Sequence, residues 1–256
     1  MDLILRRISD LVAVAKELST RIFPNKMKIS TTKTGLCLLA CSIAFFFDHL
    51  NAEEPAFESE LFQNGKLVYS DDFDGEFNRG HWGAPKKGKE IKDGTLIVTP
   101  QFASKEVAMK ALKRDHHLGL EPVAHLNKIP DQFVCHLRYQ FEKPEFTPGR
   151  PSFQIGHHMI SLGIVEDGGH LIKLPDDGPS FAEPDSEMAL NEWIDLIIEY
   201  KKGTIRISVN GVGKTYEHEK VTMVNEKDKL GPRFTFKGGE DCRILFDSVR
   251  LWDCEK

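Results

Sequence analysis

The fold is decided by Trp193-Ile194-Asp195-Leu196-Ile197-Ile198-Glu199-Tyr200, then Lys201-Lys202-Gly203, then Thr204-Ile205-Arg206-Ile207-Ser208-Val209, then Asn210-Gly211. Two β-branched, apolar-rich runs are each closed by a short turn. Asn-Gly tolerates the positive φ that a two-residue hairpin demands, so the stretch predicts strand, turn, strand, turn. Gln132 to Phe141 gives the same answer by a different signal. Phe133, Cys135, Leu137, Tyr139 and Phe141 share one face, and Val134, His136, Arg138 and Gln140 the other. A period of two is that of a half-buried strand.

Working outward, Gly88 to Val98 reads as a hairpin on Asp93-Gly94, and Ser152 to Val165 as a strand region. Gly231 to Lys237 and Arg243 to Asp253 close the chain as strands. Lys105 to Lys128 reads either as a short helix (Val107, Ala108, Ala111, Leu112) or as an edge strand with a long loop. Leu174 to Asn191, rich in Pro, Asp, Glu and Ser, reads as a long loop. Many short strands and little helix predict an all-β fold, a two-sheet antiparallel sandwich or jelly roll.

The N-terminal region predicts export. Lys33, the uncharged run Thr34 to Phe47 and Ala52 follow the order of a secretory signal, with residues 27–52 as the signal peptide. The run is shorter than the ~20 apolar residues a permanent span needs. Residues 1–26 read as a mis-assigned start, with Met27 the true one, or as an extended n-region; the alternative is an amphipathic helix. Leu38-Leu39-Ala40-Cys41 has the look of a lipoprotein box, but the apolar core runs on past it. An uncleaved signal anchor is the other competitor. Residues 53–65 form an acidic lead-in and 66–256 the sandwich domain.

Beyond Ala52 the chain holds 27 basic residues (34 less 7) and 35 acidic ones (39 less 4), a net charge of −8. It has no dense basic stripe with interleaved aromatics, which argues against a nucleic-acid partner. Three cysteines lie there: Cys135, Cys242 and Cys254. On one strand Cys242 and Cys254 would stand some 30 Å apart at ~3.3 Å per residue. A disulfide needs α-carbons within roughly 7 Å. Cys135 pairs with one of them, or all three are buried thiols.

Three patches resemble the concanavalin A-like lectin/glucanase (LamG-like) jelly rolls, most of all the secreted bacterial branch that includes the 3-keto-disaccharide hydrolase family. They are Leu67-Val68-Tyr69-Ser70-Asp71-Asp72-Phe73-Asp74-Gly75 with Trp82 and Asp93-Gly94-Thr95-Leu96, then Asn191 to Gly211, then Phe246-Asp247-Ser248-Val249-Arg250-Leu251. The resemblance covers roughly residues 66–253. It implies neighbouring first and last strands and a carbohydrate ligand on a concave sheet. Where family members carry acidic and arginine side chains, this chain has His136, Arg138 and Gln140. Gly149-Arg150-Pro151-Ser152-Phe153 replaces an Asn-Ser-Gly segment.

The expected function is therefore a secreted carbohydrate-binding or carbohydrate-active sandwich. The alternatives are a hydrolase or lyase acting on a glycoside or 3-keto-disaccharide, and a non-catalytic adhesion or structural sandwich. His136, Arg138, Gln140, Gln154 and His158 would form one polar, sugar-facing patch if their strands adjoin; an ordinary polar sheet face is the alternative. Trp82, in a loop-like stretch, is the candidate stacking platform. A general base would come from His136, His158 or Glu183. Glu183-Pro184-Asp185-Ser186-Glu187 has glycosidase-like spacing, but Pro184 opposes a central strand. His157 and His158, adjacent on a strand, would point to opposite faces. Asp71, Asp72, Asp74 and Asp247 would supply oxygens to a structural calcium, or else cap turns.

Overall fold

The computed structural model describes residues 56–83, 88–115, 117–147, 151–166, 169–225 and 231–254. The expected export signal, His116, Gly149 and Arg150 lie outside them.

Two antiparallel sheets face each other. The eight-stranded sheet runs β12-β11-β10-β5-β14-β3-β2, with β1 also on β14. Its strands are β1 (Lys66–Asp71), β2 (Lys89–Lys92), β3 (Thr95–Val98), β5 (Phe133–Glu142), β10 (Ile194–Lys201), β11 (Thr204–Val209), β12 (Val212–Glu217) and β14 (Arg243–Asp253). The six-stranded sheet runs β4-β13-β6-β7-β8-β9. Its strands are β4 (Val123–Leu126), β6 (Ser152–Ile155), β7 (Ile160–Ile164), β8 (His170–Lys173), β9 (Ser180–Glu183) and β13 (Phe234–Lys237). Two helices interrupt the strands: α1 (Arg79–Trp82), capped by the Asn78 side chain, and α2 (Lys105–Leu112), capped by Ser104.

The first and last strands meet as expected. β1 lies antiparallel to β14 with Lys66 opposite Asp253 and Asp71 opposite Val249, broken by one bulge. β14 takes β5 on its other side over its whole length. The Asp93-Gly94 and Asn210-Gly211 turns both have positive φ at both residues, as their hairpins require.

Period-two patterning places the aromatic core between the sheets. Phe133 of β5 packs on Phe234 of β13 at 5.4 Å between ring centroids, and Tyr139 on Phe236 at the same distance. Phe236 also meets Phe246 of β14 at 4.7 Å. These rings are essentially inaccessible. Each buried ring of this kind contributes roughly 1.5–3 kcal/mol. Cys135, Cys242 and Cys254 are buried free thiols, so no pairing of Cys135 forms. Burial pushes the Cys242 and Cys254 thiols up to about 11, which keeps them unreactive near neutrality.

Three local expectations are corrected. Ser152 to Val165 is a hairpin, β6 and β7, broken at Gly156 to Met159. Gly156 has φ +77, and a Cβ there would stand 2.6 Å from the Met223 carbonyl, so the turn needs glycine. Lys105 to Lys128 contains a helix and a strand, α2 and β4, in place of one or the other. The 174–191 segment is not all loop, since β9 runs through it against β8.

The acidic lead-in has a defined path. Residues 56–65 lie as a strap on the outer face of the eight-stranded sheet. Phe57 packs edge-on against Trp252 at 5.9 Å, beside Phe62, Leu67, Ile197, Val134 and Cys254. The Glu199 carboxylate, only 2% exposed, accepts from the Ser59 hydroxyl and from the backbone N–H groups of Glu60 and Leu61. Arg206 faces it at 3.4 Å.

Candidate functional site

The two outer sheet faces differ in chemistry, and that difference selects the site. On the eight-stranded sheet, β5 points His136, Arg138 and Gln140 outward, as its alternation predicts. Arg138 is occupied. Its guanidinium donates to both oxygens of Asp195 at 2.8 and 2.9 Å and lies 3.5 Å from Asp247. It also stands over the Trp193 ring at 5.6 Å. Trp193, half-buried just before β10, therefore flanks this patch. His136 abuts Trp252 at 4.7 Å, close to the strap. Burial holds its imidazole below the ordinary histidine value, against opposing pulls from Glu58 and Glu199. The other arginines of this sheet are also matched: Arg206 with Glu199, Arg243 with Glu142, and Arg250 with Asp72.

The expected single polar patch does not form. Gln154 lies on β6, in the opposite sheet from β5, and faces outward on the other side of the sandwich. The sequence gives no signal for which sheet a strand joins, and that choice separated them. His158 is on no strand. It sits in the β6–β7 turn at φ 61, its ring 4.0 Å from that of His157. The two rings are neighbours, not opposite-facing as strand geometry predicted. His158 lines an open cleft of about 890 Å³ at one end of the sandwich, together with Asp131, Asp176, Lys202 and Glu219.

Trp82 is no platform. It is 1% exposed, its indole N–H donates to the Tyr69 hydroxyl at 2.8 Å, and its ring packs on Phe246. The four aspartates do not gather into a calcium site. Asp71 accepts from the Tyr69 hydroxyl and the Phe73 N–H, Asp72 pairs with Arg250, and Asp247 faces Arg138. Asp74 lies beside the Gly94 turn. Among the described residues no three His, Cys, Asp or Glu side chains cluster as metal ligands.

Glu183 ends β9, Asp185 falls in the turn after it and Glu187 lies beyond that turn, so the three carboxylates share no strand. The Glu183 side chain is largely shielded from solvent. It pairs with His170 in register and is held 2.8 Å from Lys214. Burial pushes its carboxyl up, but Lys214, the neighbouring Tyr216 hydroxyl and His170 outweigh this and hold it below the usual carboxylate value. His170 is 2% exposed, and Phe181 packs on Tyr216 at 4.9 Å. This cluster links β8 and β9 to β12.

The face that sequence reading missed is the outer face of the six-stranded sheet. Strand register lines up His125, Thr235, Gln154, Ser161, Lys173 and Ser180 across β4, β13, β6, β7, β8 and β9. At 4.7–4.9 Å per strand the row from His125 to Lys173 spans about 19 Å. His125 Nδ1 lies 3.1 Å from the Thr235 hydroxyl. Burial first, then the charges of Arg233, Lys89, His157 and Lys237, lower the His125 imidazole to about 4, so it is neutral at pH 7. Gln154 Oε1 and the neighbouring Ser152 Oγ are buried without a hydrogen-bond partner among the described residues. Beside them, a Cβ built on Gly163 would meet no atom within 4 Å, which leaves open space over the middle of the sheet. No outward side chain of these six strands is a carboxylate. The alternation in β6 was readable, but each of these strands is only four or five residues long. Their alignment into a row depends on long-range pairing.

No family profile and no curated protein matches the chain. Solved structures do. The apo form of the Crh5 transglycosylase superposes with a TM-score of 0.50 at 10% identity, over 75% of this chain and 88% of that one. SCLam, a non-specific endo-β-1,3(4)-glucanase from family GH16, gives 0.49 at 10% identity, over 79% and 95%. The Emp47p carbohydrate recognition domain gives 0.48 at 11% identity, over 78% and 100%. At such identities the likeness is one of architecture: this chain is a two-sheet antiparallel jelly roll of the concanavalin A-like type.

Proposed function

We propose that this chain is an exported carbohydrate-binding β sandwich whose ligand lies across the outer face of the six-stranded sheet. The observation that carries the reading is the cross-strand row His125, Thr235, Gln154 and Ser161, with open space at Gly163 and unpartnered oxygens on Gln154 and Ser152. Sugar hydroxyls are donors and acceptors at once and suit a flat array of amide, hydroxyl and imidazole groups. Buried polar atoms rarely stay unpaired, so a face that holds two in adjacent rows has hydrogen-bonding capacity to offer a ligand. The opposite face also holds two such atoms, His136 Nε2 and Arg250 Nε, in register with each other; there, however, the strap lies close to His136 and the Arg250 guanidinium already meets Asp72.

Binding is favoured over two-carboxylate hydrolysis. A retaining glycosidase needs two carboxyl groups about 5–5.5 Å apart at the sugar. The strands of this face present none outward. The jelly roll shared with the Crh5 transglycosylase sets no activity by itself. Export rests on the charge and apolar order of residues 33–52, and no helix among the described residues is long and apolar enough to cross a membrane.

A glycan array probed with the protein lacking residues 1–52, followed by calorimetry on the best ligand, tests the reading. Gln154→Ala should weaken that ligand roughly three- to tenfold, the worth of one or two net hydrogen bonds. Release of reducing sugar by the wild type would move the assignment to an enzyme. Absence of any glycan binding would leave the non-catalytic structural sandwich.

A further inference from the structure

We infer that the glycan is anionic: the outer face of the six-stranded sheet is built for sugars carrying carboxylate or sulfate groups. The inference rests on the reading of that face as the carbohydrate site and names the ligand class it takes.

The argument is one of charge against the rest of the molecule. The chain beyond Ala52 is acidic, at −8, yet the outward side chains of these six strands include lysine and histidine and no aspartate or glutamate. Several cations of the eight-stranded sheet are paired. Arg138, Arg206, Arg243, Arg250 and Lys214 each face a carboxylate. Arg233 and Lys173 form no ion pair among the described residues, and both belong to this face. Arg233 precedes β13 and shares the outward parity of Thr235; its carbonyl accepts from Gly156 N–H, which fixes it beside the β6 end. Arg233 Nε is buried and has no hydrogen-bond partner among the described residues. A buried guanidinium nitrogen without an acceptor is costly, and an anionic oxygen is its natural complement. Lys173 is exposed on β8, three strands away at the far end of the polar row. Between them lie Gln154 and Ser161, and the open space at Gly163 adjoins that row. Two cations about 14 Å apart across the sheet and about 7 Å apart along it, with neutral hydrogen-bonding groups between, fit an oligosaccharide with acidic groups on more than one residue.

The cations around His125 add to the same field. Lys237 and Lys89 keep partners of their own, Lys89 donating to the Trp82 carbonyl. Their charges still reach the imidazole and help to keep it neutral. A carboxylate or sulfate seated near Arg233 would be drawn by all of them.

Matched ligand pairs test this. Oligogalacturonate against its methyl ester isolates a carboxylate, and a sulfated chondroitin oligosaccharide against its desulfated form isolates a sulfate. Calorimetry at 50 mM and 300 mM NaCl should give at least a tenfold preference for the acidic member of one pair at low salt, shrinking at high salt as the charges are screened. In the Arg233→Gln/Lys173→Gln variant, shown by thermal unfolding to be folded, the acidic-to-neutral affinity ratio should fall toward one. Equal binding of both members of each pair, or a preference that survives in the variant, overturns the anionic assignment while leaving the site in place. No binding of any member, together with a blank glycan array, overturns the site itself.

Discussion

Trp82 shows how a single residue can be misread from its neighbours. In Arg79-Gly80-His81-Trp82-Gly83 it looks like an exposed loop aromatic, yet α1 turns it inward onto Phe73 and Phe246 and gives its indole N–H the Tyr69 hydroxyl. Trp82→Ala should therefore cost about 3–5 kcal/mol in urea unfolding, as buried tryptophans do, with no change in glycan affinity for the protein that stays folded. Glu199 is the opposite case. Its sequence context is an ordinary strand carboxylate, but the strap's backbone amides converge on it. Glu199→Ala leaves those amides and Arg206 without their acceptor, and should destabilise by about 2–4 kcal/mol. Faster hydrogen exchange confined to residues 59–62 would mark the strap as the part released. Neither environment could be named in advance, because the Trp82–Phe246 packing and the Glu199–strap bonds join residues far apart in sequence.

At the level of elements, what was legible was what is local. The alternation of β5 and the Asp-Gly and Asn-Gly turns are set by side-chain direction and by φ, and both are written in a few adjacent residues. The length of β14 was equally readable. The break between β6 and β7 was missed because Gly156 and two histidines sit in an apolar run that reads as continuous. The backbone decides it: φ is positive at Gly156 and His158. Gly156→Ala forces a side chain against Met223 in a left-handed turn, so it should destabilise by about 1–3 kcal/mol. It should also weaken glycan binding by shifting Gln154 and the Arg233 carbonyl's partner, and chemical denaturation with calorimetry on one sample separates the two effects. The candidate patch failed at this scale as well. His136 and Gln154 both point outward, but strand pairing sends β5 and β6 to different sheets.

The whole molecule has a pH signature that follows from its buried histidines. His81, His125, His136 and His170 all have imidazoles lowered from the ordinary 6.5, in each case first by burial. The unfolded chain therefore takes up protons before the folded one does. Stability falls as pH drops below about 6.5, and for His125 the loss continues to its folded value of about 4. Glu183 works in the same direction, since a carboxyl held low in the fold loses its stabilisation as it protonates. His125 alone accounts for about 2 kcal/mol by pH 4, allowing for solvent screening of a half-buried ring. Thermal unfolding between pH 7 and pH 4 should show a steadily falling midpoint, and His125→Gln should flatten that fall.

The central claim concerns which side of the sandwich meets the sugar, and hydrogen–deuterium exchange with and without a bound glycan reads it directly. Protection should appear in β13, β6 and β7, around Arg233 to Lys237 and Ser152 to Gly163, with β5 and β10 unchanged. Protection centred on Arg138, Trp193 and Asp195 instead would place the ligand on the eight-stranded face and contradict the account.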